Sequence, residues 1–285
     1  MVVFMISKKI QTETGNAWRA KLKLPDGKLT LRAQSEEVEK EFWRLRQKTG
    51  QLALDSYREP ICKELLQLLQ TYKIHSALEM GPGWGNYTFF LAKHCKQLTC
   101  VDISQDNLDY LNKEAKEKGL LVPHLLCSPW EEVDISVPTY DLVFGYNCFY
   151  RMTHIEENLL KMHQAASRLC VIGMNSPPEL PWLPALEKEL HLPVRYTRVG
   201  CKELQKILSE LGIQARRIEI PNQRNYVYSS IDELVANAER MICGTYDRES
   251  LETVLLQYHE PLADGALICR YVFTSELLVW ETFKK

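Results

Sequence analysis

Apolar residues in this chain fall into short runs that alternate with amphipathic stretches. From residue 74 the order is strand-like Ile74–Met80, helix-like Asn86–His94, strand-like Leu98–Ile103 and helix-like Gln105–Lys118. In the last of these Leu108, Leu111 and Ala115 share a face and Gly119 provides a stop. Val122–Cys127 and Tyr140–Tyr146 read as strands, His154–Ser167 as a helix and Arg168–Met174 as a strand. Lys202–Leu211 reads as a helix ended by Gly212, and Ile213–Ile220 as a strand. Alternation of this kind predicts an α/β fold, a parallel sheet with helices on both faces.

The flanks follow other periods. Lys21–Leu24 and Lys28–Leu31 alternate about Pro25-Asp26-Gly27, which predicts a β-hairpin. A helix through Phe42, Trp43 and Leu45 is expected to start at Ser35. A second, from Ser56 or Glu59 to Leu69, turns Ile61, Leu65, Leu66, Leu68 and Leu69 inward. Beyond Pro221, Ser230–Ile242 and Arg248–Tyr258 read as helices, and Leu267–Phe273 and Leu277–Phe283 are apolar runs. The expected organisation is an N-terminal hairpin and helical cap, 1–72, then a main domain, 73–285, with a helical insertion at 221–265. Cap and insertion are candidates either for a lid over the open end of the sheet or for simple cover of its edge.

The chemistry concentrates in Glu79-Met80-Gly81-Pro82-Gly83-Trp84-Gly85 and in Asp102, twenty-one positions beyond Gly81. Glycines between a strand and a helix let bare backbone approach a nucleotide. An acid at the end of the next strand can hold two ribose hydroxyls. The dinucleotide pattern G-x-G-x-x-G fails in both registers, because Asn86 and Thr88 stand where its third glycine would be. Glu79 also disfavours a pyrophosphate and tolerates a cation.

The pattern acid-x-G-x-G-x-G resembles the first motif of the class I S-adenosylmethionine-dependent methyltransferases, and the resemblance extends over about residues 74–174. It implies a Rossmann-like three-layer sandwich, with a mostly parallel seven-stranded sheet whose final strand, here Leu277–Phe283, is antiparallel. It implies that Gly81, Gly83 and Gly85 form the turn under S-adenosylmethionine, that Glu79 supports it, and that Asp102, with Ile103 beside it, holds the ribose. The acid that the family commonly places near Ser128 or Pro129 for adenine is missing. Ser128 remains as a hydrogen-bonding group, and Trp130 either lies on adenine or packs in the core. After the fourth strand the family's residues border the transferred methyl group. Asn147 is the expected cofactor contact there, and Tyr146, Tyr150 and His154 are candidates to orient or deprotonate an acceptor. Thr153 and Glu156 have capping-box spacing, which would instead explain His154 as the first residue of a helix. Tyr57, Trp43 and Arg46 are candidates to roof the cofactor or to pack between helices.

Composition narrows the class. The 285 residues carry a net charge of −2 and no long basic stretch, against a nucleic-acid partner. The nine cysteines include no C-x-x-C pair, and Cys100, Cys127, Cys170 and Cys269 sit in apolar runs as reduced, buried thiols do. The apolar Val2–Ile6 is too short for a membrane span and precedes its lysines, the reverse of a signal peptide. Asp141 opens its strand, the wrong end for a catalytic metal, so none is expected. The reading is a cytoplasmic methyltransferase of a small molecule, releasing S-adenosylhomocysteine. Its rivals are a non-catalytic S-adenosylmethionine-binding regulator and a nicotinamide oxidoreductase. The glycine spacing opposes the second rival, as does Glu114 in the place of a lysine four residues after Tyr110.

Overall fold

The computed structural model describes residues 10–23, 27–29, 31–48, 54–55, 57–135, 139–177, 179–194 and 199–282. The apolar stretch at residues 2–6, Ser56 and Phe283 lie outside them, as does the Arg46 side chain. The chain divides into two compact units. The first holds the chain up to Met174, Val199–Ile220 and the segment from Ser275 onward, and the second holds Asn175–Arg198 and Pro221–Thr274.

The elements run α1 (Glu13–Lys21), α2 (Leu31–Gln34), α3 (Glu36–Lys48), α4 (Arg58–Thr71), β1 (Ser76–Met80), α5 (Thr88–His94), β2 (Gln97–Asp102), α6 (Gln105–Glu117), β3 (His124–Cys127), β4 (Tyr140–Tyr146), α7 (Ile155–Ala165) and β5 (Ala166–Asn175). They continue with α8 (Trp182–Glu189), α9 (Cys201–Glu210), β6 (Arg216–Tyr228), α10 (Ile231–Glu239), α11 (Arg248–Leu256), β7 (Glu260–Pro261) and β8 (Leu267–Glu281). Strand order is β3-β2-β1-β4-β5-β8-β6, with the two-residue β7 on β8 as an eighth strand. The sheet is mostly parallel with an antiparallel end, the expected Rossmann-like α/β architecture.

The first unit is three layers because its strands are apolar on both faces. Leu78, Met80, Val143, Cys170, Ile172 and Leu278 point to one side, against Trp18 of α1, Leu159 and Met162 of α7, and Leu204 and Ile207 of α9. Ala77, Leu142, Phe144, Leu169, Val171 and Leu277 point to the other, against Ile61 and Leu65 of α4, Leu91 of α5, and Leu108 and Leu111 of α6. The period of two along each strand decides which core a residue enters. At α6 the Ser104 hydroxyl accepts from the Asn107 N–H, and Gly119 closes the other end at φ +61°.

Within the second unit α8 and α10 both pack on α11. Trp182, Leu186, Leu234, Ala238, Leu251 and Leu255 are buried.

Several boundaries differ from the sequence expectation. Leu24, Pro25, Asp26 and Thr30 of the expected hairpin lie outside the described residues, among which it is present as one antiparallel bridge, Lys23 to Leu29. Lys21 ends α1 and Leu31 opens α2, because two short strands with no third strand to pack on gain too little to resist helix formation. The helix ending α7 stops at Ala165, and Ala166 and Ser167 join β5. Residues 221–228, expected in the helical insertion, extend β6. Leu267–Phe273 and Leu277–Phe283 are one strand rather than two, since backbone pairing carries β8 through the polar residues 274–276, of which Ser275 and Glu276 are buried. Cys127 is exposed, contrary to expectation, because it ends the edge strand β3. No helix among the described residues is long and apolar enough to cross a membrane.

Candidate functional site

The site opens where β1, β2 and β4 of the first unit end. Gly81, Gly83 and Gly85 have φ of +65°, +55° and +91°, a region that costs other L-residues strain. The Gly81 N–H donates to the Val101 carbonyl at 2.9 Å, continuing the β1–β2 ladder, and the Gly85 N–H closes the turn on the Pro82 carbonyl at 3.0 Å. A side chain at Gly83 would meet nothing within 4 Å, because that face is open to the cavity. One at Gly85 would strike Phe89 and Leu111, so Gly85 serves packing and does not line the cavity.

Asp102 ends β2 and is buried on the same wall. Its Oδ2 accepts from the Gly83 N–H at 3.2 Å and its Oδ1 from the Ser104 N–H at 2.8 Å. Burial pushes this carboxyl up to about 6, against the pull of those two N–H groups. Glu79 is fully enclosed in β1, where it accepts from the Thr88 hydroxyl at 2.6 Å, and burial pushes it up to about 7. A folded state that holds these protons more tightly than the unfolded chain loses stability as pH rises from about 4 to 7. Glu79→Gln is expected to flatten that decline. Urea denaturation of both proteins at intervals from about pH 5 to pH 8 checks it, and parallel profiles would refute the assignment.

The cavity has a volume of about 500 Å³. Glu79, Gly81, Gly83, Asp102, Ile103, Ser128, Trp130, Tyr146, Asn147, Tyr150 and Tyr57 line it. Ser128 spends its hydroxyl on the Pro129 carbonyl at 3.1 Å, while its N–H continues the ladder to the Asp102 carbonyl. Trp130 is both cavity wall and core, with Nε1 donating to the Asn158 carbonyl at 3.4 Å. Asn147 adopts φ +53°, a strained value for a residue with a side chain, immediately after β4.

Tyr146 and Tyr150 are both held above the ordinary tyrosine range, first by burial, so at neutral pH they are hydrogen-bonding phenols rather than bases. His154 does not reach the cavity. It is the exposed residue just before α7, its Nδ1 4.0 Å from Glu157. The capping box with Thr153 does not form either. Glu156 turns to the N-terminal segment, where it accepts from the Thr12 N–H at 2.9 Å and pairs with Arg19 at 2.7 Å.

The far wall comes from α2 and α3, through Ala33, Gln34, Glu36, Glu39 and Trp43. Glu39, absent from the sequence expectation, is its hub. It accepts from Arg32 at 2.6 and 2.8 Å, from Trp43 Nε1 at 2.9 Å and from the Tyr150 hydroxyl at 2.8 Å. Burial raises Glu39, but Arg32 and Tyr150 outweigh it, and the carboxyl lies below its ordinary range. Trp43 stacks at a tilt on Trp84 of the glycine turn, with ring centroids 5.1 Å apart. The i, i+4 spacing of Glu39 and Trp43 was the available signal for this face.

A cavity at the carboxyl ends of parallel strands, floored by a glycine turn and a buried acid, defines a nucleoside-cofactor site of the open α/β kind. Comparison with known proteins narrows it. Residues 77–171 match the family described as a methyltransferase domain. The BH2331 protein from Bacillus halodurans C-125 is similar over 78% of this chain and 100% of its own, at 12% identity and a TM-score of 0.51. The YcgJ protein from Bacillus subtilis is similar over 78% of this chain and 98% of its own, at 14% identity and a TM-score of 0.50. These two likenesses show the fold. A search of curated proteins finds no match. Residues 77–171 thus form a methyltransferase domain, the kind of domain that takes S-adenosylmethionine.

The residues present fit that group. Gly83 leaves space where any side chain would intrude, and Asp102 offers carboxylate oxygens beside it. Acidic side chains predominate around the cavity, as a cationic cofactor requires.

Proposed function

We propose that this methyltransferase acts on a small molecule, with Asp102 holding the cofactor ribose and Asn147 and the tyrosines bordering the reacting end. S-adenosylmethionine, when bound, supplies a methyl carbon on a cationic sulfur. The observation that carries the proposal is the size of the site. Gly83 and Asp102 on one wall face Glu39 and Trp43 on the other, around about 500 Å³. That lies within the roughly 300–1,000 Å³ of small-ligand sites and leaves limited room beyond the cofactor.

Within such a space positioning supplies most of the rate. Asn147 and Tyr146 stand at the end of β4, and Tyr150 is fixed by Glu39 and Arg32 three residues beyond Asn147. Tyr146, a protonated phenol, orients an acceptor there, while the Tyr150 proton is committed to Glu39. Trp43, Trp84 and Trp130 exclude water from the wall.

The test is calorimetric titration with S-adenosylhomocysteine, followed by mass spectrometry of amines, phenols, thiols and carboxylates incubated with enzyme and S-adenosylmethionine. Binding together with methylation of at least one small acceptor is expected. Binding with no product across the panel would favour a cofactor-binding protein without catalysis. Absence of binding by folded protein would remove the proposal altogether.

A further inference from the structure

The cavity has two unlike ends. Asp102, Ser128 and Trp130 mark the nucleoside end, beside β2 and β3. The opposite end, beside β4, is built from Tyr57, Tyr87 and Tyr146 with one carboxylate, Asp55. Asp55 Oδ2 accepts from the Tyr57 hydroxyl at 2.8 Å and from Asn86 Nδ2 at 2.6 Å, while Oδ1 accepts no hydrogen bond among the described residues. The Asp55 N–H donates in turn to Asn86 Oδ1 at 2.9 Å, so the carboxylate is held on both sides. The Tyr87 and Tyr146 rings meet at a tilt, with centroids 5.1 Å apart. Tyr87 is 4% exposed, yet its hydroxyl has no partner among the described residues. A buried hydroxyl left without a partner is costly, and a polar group of a ligand at this margin would satisfy it.

We propose that this end is the acceptor subsite and that it selects an amine, held as its ammonium form against the tyrosine faces and Asp55. The inference rests on the methyltransferase reading and names its substrate class. Aromatic faces attract cations through their quadrupoles, and a carboxylate with one oxygen open adds a direct ion pair. Charge around the cavity points the same way. Glu36, Asp55, Asp102 and Glu131 line it, with Glu39 offset by Arg32 and Glu79 held partly protonated by burial, against Arg151 as the single cation among the described lining residues. An anionic acceptor would enter against that field. The phenols themselves stay neutral. Burial first, then the Tyr146 and Tyr57 phenols, the Cys62 thiol and Asp55, raise Tyr87 above the ordinary tyrosine range. In the transfer the ammonium first loses a proton to solvent. The nitrogen lone pair then forms the new C–N bond as the C–S bond breaks with its electron pair kept by sulfur, and the positive charge returns to nitrogen.

The experiment uses the full chain saturated with S-adenosylhomocysteine, and three probes of one shape: tetramethylammonium chloride, tert-butanol and sodium pivalate. Binding is read by calorimetry, with methylammonium chloride as a fourth probe. Tetramethylammonium is expected to bind about tenfold or more tighter than pivalate and tighter than tert-butanol. Asp55→Asn should weaken it about fivefold or more while S-adenosylhomocysteine still binds. Tyr87→Phe keeps the ring and removes only the unpartnered hydroxyl. It should weaken methylammonium, which has N–H groups to offer, and leave tetramethylammonium unchanged. Pivalate or tert-butanol binding as well as the cation would overturn the proposal. So would cation binding indifferent to both substitutions. Failure of S-adenosylhomocysteine to bind at the outset would instead count against the methyltransferase reading beneath it.

Discussion

Asp102→Asn is expected to weaken S-adenosylhomocysteine binding by about 30- to 100-fold, with a folded protein remaining. A hydrogen bond to a charged group contributes about 1.5–3 kcal/mol, and the substitution replaces one carboxylate oxygen with a donor that a ribose hydroxyl cannot use as the ionised acid allows. The amide also meets two backbone donors, Gly83 N–H and Ser104 N–H, and can accept from only one. Against that, the buried acid already resists ionisation, with its pKa pushed up to about 6, so the neutral side chain is tolerated by the fold. The same shift sets a pH dependence. The ribose-holding form is the ionised one, so affinity should fall as pH drops through about 6 in the wild type and stay flat in Asp102→Asn. Calorimetry at about pH 5 and pH 8 reads both effects. A loss below threefold, or equal slopes with pH, would contradict the role of this residue.

Glu156→Ala is expected to destabilise the fold by about 3 kcal/mol, a large loss for a polar side chain outside the sheet. The Glu156 side chain is wholly buried, and it accepts from the Thr12 N–H, the Thr12 hydroxyl and both ends of the Arg19 guanidinium. Removing one member of a buried pair typically costs about 3–5 kcal/mol, because the partner is left unpaired. Arg19 is 24% exposed and partly rehydrates, which favours the lower end of that range. The loss should reach the site. Trp18 lies one residue before Arg19 and donates from Nε1 to the Met152 carbonyl at 2.9 Å, fixing the segment that carries Tyr150 and Met152 into the cavity wall.

Gly15→Ala should mimic the defect, since a Cβ there would collide with Glu156 Oε1. The double variant should then lose less than the two single losses combined. Burial raises the Glu156 carboxyl, but the hydrogen bonds from Arg19 and Thr12 lower it further. Its contribution is therefore present above about pH 4.3 and lost as pH falls. Chemical denaturation of the four proteins checks these expectations. A Glu156→Ala loss below about 1 kcal/mol would show that α1 is not tied down through this carboxylate.

The glycine turn and the acid beside it were legible in the sequence because backbone geometry dictates residue type there. A positive φ at three alternating positions demands glycine, and a ribose ligand must stand at the end of the neighbouring strand, where Asp102 is. The strands and the inward faces of α4, α6 and α9 were legible for a similar reason, since burial on a period of 2 or 3.6 leaves an apolar imprint. The far wall left no such mark. Glu39 sits among Glu36, Glu37 and Glu41 on one helix, and beyond its i, i+4 spacing from Trp43 only its partners Arg32 and Tyr150, brought in by the fold, distinguish it. Glu156 illustrates the same limit. Its spacing from Thr153 fits a local cap, but a guanidinium and a backbone N–H from residues 12 to 19 offer stronger partners, and the local motif loses. His154 is left at the surface in consequence. The tyrosine pocket with Asp55 joins residues from three separate segments, so no single stretch of sequence announces it.

The most direct test of the central claim is a crystal structure of the chain with S-adenosylhomocysteine. Ribose hydroxyl oxygens within about 3 Å of the Asp102 carboxylate, and the ligand packed on the bare Cα of Gly83, are the predicted result. Adenosine bound elsewhere, or bound with no ribose oxygen within hydrogen-bond distance of Asp102, would contradict it.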